Sequence, residues 1–79
     1  MTEQEIVNII KNDVAMFNAR RKTITPEFRE RFKNELIRLL NQLNKISLRK
    51  EYICYYSGIE DCYEFGFYDE FGKWVVIEK

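Results

Sequence analysis

The hydrophobic period of this chain changes once, just after Lys50, and that change decides the fold class. Before it, apolar residues recur every three or four positions. Ile6, Ile10, Val14 and Phe17 form one series, broadened by Val7; Phe28, Phe32, Leu36, Leu39, Leu43 and Ile46 form a second, with Leu40 beside them. These are the buried stripes of two amphipathic helices. After Lys50, the segments Tyr52–Tyr56, Tyr63–Tyr68 and Trp74–Ile77 are rich in aromatic and β-branched residues and are divided by turn residues, as short strands are. The expected fold is α+β: two antiparallel helices packed on one face of a three-stranded antiparallel β-sheet, in the order ααβββ.

Local signals place the boundaries. Thr2-Glu3-Gln4-Glu5 has capping-box spacing, a hydroxyl for one orphan amide and a Glu three residues later. Thr25-Pro26-Glu27 offers an N-cap hydroxyl, a proline where its missing N–H costs nothing, and an acid near the positive end of the helix dipole. The spacing predicts helices over 3–19 and 26–46, joined by the basic segment Arg20–Ile24, and strands over about 51–57, 62–68 and 73–78, all in a single domain 1–79.

The last turn sets a register. Asp69-Glu70-Phe71-Gly72 fits a type I turn with Gly72 in the left-handed conformation, which pairs Tyr68 with Trp74, Phe67 with Val75, Gly66 with Val76 and Phe65 with Ile77. Phe65, Phe67, Val75 and Ile77 then share the one fully apolar face, which belongs under the helices. At the first turn, a loop of Ser57-Gly58-Ile59 sets Cys54 opposite Cys62, turns Ile53 into the core, and points Tyr52, Cys54 and Tyr56 outward. A slip of one residue reverses that assignment. Opposed strand cysteines approach disulfide distance, yet two cysteines are too few for a disulfide scaffold, and free thiols are the expectation in a reducing compartment.

Composition bounds the function. Seventy-nine residues lie near the lower limit for a single self-sufficient core, and the aromatic share of 15% supplies the area to build one. The opening MTEQEIVNII is acidic where a signal peptide is basic, and no apolar run nears the roughly 18 residues of a membrane span. A soluble protein of a bacterial cytoplasm, without membrane contact, is expected. The chain has no histidine, which removes the commonest base near neutral pH, the usual Ser-His and Cys-His nucleophile pairs and most zinc sites. No phosphate-binding glycine loop is present. Glu60, Asp61, Glu64, Asp69 and Glu70 read as solvated acids on and beside the hairpin turns. The expectation is therefore a non-enzymatic protein with no catalytic residue, no metal and no cofactor.

Charge divides the chain. Residues 1–50 carry 11 basic against 6 acidic side chains, and residues 51–79 carry 2 against 7. Two binding faces follow. The outer sheet face displays Tyr52, Tyr56, Tyr68 and Trp74, with Glu64 and Glu78 among them and Glu60, Asp61, Asp69 and Glu70 at the turns. Tyr and Trp ringed by charge is the composition of a protein-binding hot spot, although cross-strand aromatic pairs also simply stabilise a sheet. Acidity disfavours stacking on nucleic acid and suits a basic protein partner. The alternative face is nucleic-acid-binding: Arg31, Asn34, Arg38 and Lys45 (with Asn41) on one ridge of the second helix, and Arg20, Arg21 and Lys22 in the connection. A third reading is a homodimer in which basic helices meet the acidic sheet of a second copy.

The segment YEFGFYDEFGKWVVIEK, residues 63–79, is similar in its aromatic strand–turn–strand pattern to the ends of small bacterial immunity proteins and phage-encoded inhibitors. That resemblance implies an inhibitor or antagonist carried by a phage or mobile element, neutralising a toxin or blocking a host nuclease in the manner of an anti-CRISPR protein.

Overall fold

A computed structural model describes all residues 1–79. It contains α1 (Glu3–Arg20), α2 (Pro26–Ile46), β1 (Glu51–Ser57), β2 (Cys62–Tyr68) and β3 (Trp74–Glu78). The strands form one antiparallel sheet in the order β1-β2-β3. Both helices lie on the same face, α1 against β2 and β3 and α2 against β1. The fold is α+β of the ααβββ kind. No helix is long and apolar enough to cross a membrane.

The helix starts form as their residues dictate. Thr2 Oγ1 accepts from the Glu5 amide while Glu5 Oε1 accepts from the Thr2 amide, completing the capping box. Thr25 Oγ1 accepts from the Phe28 amide, with Pro26 opening α2. The two stripes then meet the sheet. Ile6, Val7, Ile10, Val14 and Phe17 from α1 and Phe32, Leu36, Leu39 and Leu43 from α2 are buried with Phe65 and Tyr52. Phe17 sits at the junction, 4.7 Å from the Phe32 ring and 4.9 Å edge-on to Tyr63. Each such ring contributes roughly 1.5–3 kcal/mol by leaving water. The stripe of α2 outruns the core, leaving Phe28 and Ile46 exposed at its two ends.

Two asparagines attach the helices to the sheet. The Asn18 side chain donates to the Tyr63 carbonyl and accepts from the Tyr63 amide, both at 2.8 Å, beyond the last β2–β3 pair. Asn44 does the same for Tyr52, at 2.9 Å each way, on the free edge of β1. Each carboxamide thus imitates one residue of an adjoining strand and satisfies backbone groups that would otherwise be bare.

The second hairpin has the register its turn dictates. Gly72 takes φ +77° and donates to the Asp69 carbonyl, and Tyr68, Phe67 and Gly66 pair with Trp74, Val75 and Val76. The expected Phe65–Ile77 pair does not form. A bulge between Phe65 and Gly66 sets Phe65 opposite Glu78, and Ile77 stays against the core.

The first hairpin differs more. Its loop is Gly58–Asp61, closed by the pair Ser57–Cys62, and Cys54 lies opposite Phe65, three residues from the expected Cys62. An odd displacement exchanges the faces of β1. Tyr52 and Cys54 therefore face the helices, and Ile53 and Tyr55 face outward. Alternation puts Cys54 and Cys62 on opposite faces, and both thiols are free. The loop starts one residue later than the expected Ser57–Ile59 loop and is one residue longer, and Asp61, at φ +52°, supplies its left-handed residue. Arg29 holds it there through a two-pronged pair, Nη1 to Oδ1 at 2.8 Å and Nη2 to Oδ2 at 2.9 Å, and Tyr56 donates to the same carboxylate.

Candidate functional site: the outer sheet face

With both helices on one side, the opposite face of the sheet is uncovered. Alternation along the strands puts Ile53 and Tyr55 of β1, Glu64, Gly66 and Tyr68 of β2, and Trp74 and Val76 of β3 on it. Tyr55, Tyr68 and Val76 are each nearly half exposed.

Gly66 organises this face. A Cβ there would lie 2.9 Å and 3.0 Å from the Cζ2 and Cη2 atoms of Trp74, so the indole lies across β2 in the space that only glycine leaves. Spanning the central strand, the ring reaches 5.1 Å from Tyr68 on one side and 5.7 Å from Tyr55 on the other, centroid to centroid and tilted. Its Nε1 donates to Glu64 Oε1 at 2.8 Å. The Glu64 side chain is only 13% exposed, and its Oε2 lies 3.9 Å from Lys79 Nζ, which stands equally far from Glu60. Despite burial, the Glu64 carboxyl is held below its ordinary pKa, first by the Trp74 N–H and then by the Tyr55 hydroxyl and Lys79. The same carboxylate pushes the Tyr55 hydroxyl up. The result is an ionised carboxylate among three aromatic rings on an open surface.

Among the residues expected here, the structure brings together Tyr68, Trp74 and Glu64, with Glu60 and Glu70 exposed at the turns and Glu78 half-buried at the end of β3. Asp69 is occupied within its own turn, its Oδ1 accepting from the Phe71 and Lys73 amides at 2.9 Å each. Asp61 is bound to Arg29. Tyr52 and Tyr56 are corrections, because the exchange of faces in β1 removes both from the outer surface. Tyr52 is 5% exposed and donates to Glu3 Oε2 at 2.7 Å; burial, then Glu3, pushes its hydroxyl up to about 12. Tyr56 lies at the rim on the helix side, beside Tyr63. Tyr55 and Ile53 take their places on the outer face. Nothing in YICYYS distinguishes these readings, since both parities of the strand carry apolar or aromatic residues.

The alternative basic face is dispersed. Arg31, Asn34, Arg38, Asn41 and Lys45 are exposed along α2, but Arg38 pairs with Glu35, and Arg31 and Lys45 stand roughly 20 Å apart at 1.5 Å per residue. Arg20 and Lys22 are exposed at the helix connection, whereas Arg21 donates to the Asn18 carbonyl at 2.6 Å. No group of side chains has the make-up of a metal site. The chain matches no protein-family model, no curated protein and no solved structure.

Proposed function

We propose that this chain is a small non-catalytic protein-binding inhibitor that docks its outer sheet face on a basic surface of another protein. The observation that carries this reading is the uncovered aromatic platform of Tyr55, Tyr68 and Trp74 around the Glu64 carboxylate. Rigid amphipathic rings lose little entropy on binding, and the surrounding Glu51, Glu60 and Glu70 favour encounter with positive charge. An antagonist needs only such a surface, held rigidly enough to cover the working face of its target.

Affinity capture from the source host, with mass-spectrometric identification, tests this. A specific partner should be recovered by the wild-type chain and lost with the Tyr68→Ala/Trp74→Ala and Tyr55→Ala/Tyr68→Ala variants, both still folding cooperatively in urea. Retention of the partner by both folded variants would sink the reading. The exposed ridge of α2 supports a second one, nucleic-acid binding. It requires affinity for random-sequence DNA or RNA that falls steeply with salt; binding of that kind, lost on Arg31→Ala/Lys45→Ala, would replace the first reading.

A further inference from the structure

The rings of the outer aromatic cluster have no cation over them. Elsewhere Arg29 lies over the Phe17 ring at 5.3 Å and Lys50 over the Phe67 ring at 4.5 Å. No basic side chain covers Trp74. Yet the indole has Gly66 beneath it, a tyrosine on each side and a carboxylate at its edge. An indole face is the best aromatic receptor for a cation, and an adjacent carboxylate supplies the counter-charge.

Glu64 is only partly satisfied. Its Oε1 accepts from Trp74 and the Tyr55 hydroxyl faces the carboxylate, while Oε2 has Lys79 Nζ at 3.9 Å, beyond hydrogen-bond reach and shared with Glu60. The chain's own ammonium stands near the position that an incoming cation would take, held there loosely on a half-exposed side chain.

We propose that Trp74, Glu64, Tyr55 and Tyr68 form a receptor for one arginine side chain of a basic partner segment, and that Lys79 withdraws from Glu64 as the arginine enters. This assignment rests on the docking of the outer face and names what that face reads. A guanidinium is flat enough to stack on the indole, and its fork of donors reaches Glu64 Oε2 while the plane stays on the ring. Lysine offers a point charge without the plane. The flanking tyrosines border the stem of the arginine and shelter it from water.

The test uses the full chain and its single tryptophan, whose emission reports on this site alone. The probe is a Gly-Arg-Gly-Arg-Gly peptide, with citrulline and lysine counterparts at low salt. Arginine peptide should change Trp74 emission saturably, and the uncharged citrulline peptide should bind at least about tenfold more weakly, the lysine peptide falling between them. Glu64→Gln keeps an acceptor for the indole N–H and should weaken arginine binding about fivefold or more. Glu27→Gln, at the exposed start of α2 on the opposite side of the fold, should change it less than twofold, and Lys79→Ala should strengthen it about twofold. Equal binding of citrulline, an unaltered affinity in Glu64→Gln, or equal losses in Glu64→Gln and Glu27→Gln would overturn the receptor. Equal binding of lysine would overturn the arginine assignment, and weaker binding by Lys79→Ala would overturn the displacement. Failure of the docking reading is separable. Host-partner capture indifferent to Tyr68→Ala/Trp74→Ala, alongside a normal peptide response, removes the docking and keeps the receptor. Capture that depends on those rings, without a Glu64-dependent peptide response, removes the receptor and keeps the docking.

Discussion

Asn18 is a buried polar side chain whose two hydrogen bonds are both to one backbone residue, Tyr63. Truncation leaves a donor and an acceptor of the central strand without partners, and neither can recruit a strand neighbour. Asn18→Ala is expected to destabilise the chain by about 2–4 kcal/mol, read from the urea midpoint at constant slope. Asn18→Leu should be no better, because an isosteric hydrocarbon satisfies neither group. Gly66 is the second position where a single atom decides much. An added Cβ would lie 2.2 Å from the Val75 carbonyl oxygen as well as against the indole. Gly66→Ala should cost more than about 2 kcal/mol in the same assay and shift the Trp74 emission, since the ring must lift from the strand.

At the scale of elements, the two hairpins show why one register was legible and the other was not. In the second, the residue with positive φ is Gly72, and Asp69 before it gathers the turn's amides, so the local sequence announces the geometry. In the first, that conformation falls on Asp61, and its support comes from Arg29, 32 residues earlier on α2. A short window around Ser57–Glu60 contains no trace of that partner. The helices were legible because their caps and stripes are local. The site was half legible: Glu64, Tyr68 and Trp74 follow from the second hairpin, whereas Tyr55 and Ile53 required the face of β1. The Arg29–Asp61 pair also has a pH signature. Hydrogen bonds from Arg29 and then Tyr56 lower the Asp61 carboxyl from 3.8 to about 2. Stabilisation from this group is therefore complete above about pH 4 and is lost as pH falls toward 2. Urea midpoints measured from pH 5 to pH 2 should fall more steeply for the wild type than for Asp61→Asn, the two curves converging at the acid end.

Over the whole molecule, the change of hydrophobic period is also a division of labour. The helical half carries the positive excess and covers the core; the strand half carries the negative excess and the open aromatic face. A sheet with one uncovered face and two edges has a liability that the fold must manage, because bare strand edges invite further strands. Pairing of β1 with β2 leaves the amides and carbonyls of Tyr52, Cys54 and Tyr56 pointing away from the sheet, and Asn44 occupies those of Tyr52. A strand arriving from another molecule would find two usable positions in place of three, with a helix-borne carboxamide blocking the start of the row. Asn44 in this sense makes the sheet finite. Asn44→Ala should shorten the lag of thioflavin-positive assembly in mild denaturant by several-fold relative to the wild type, even at matched thermodynamic stability.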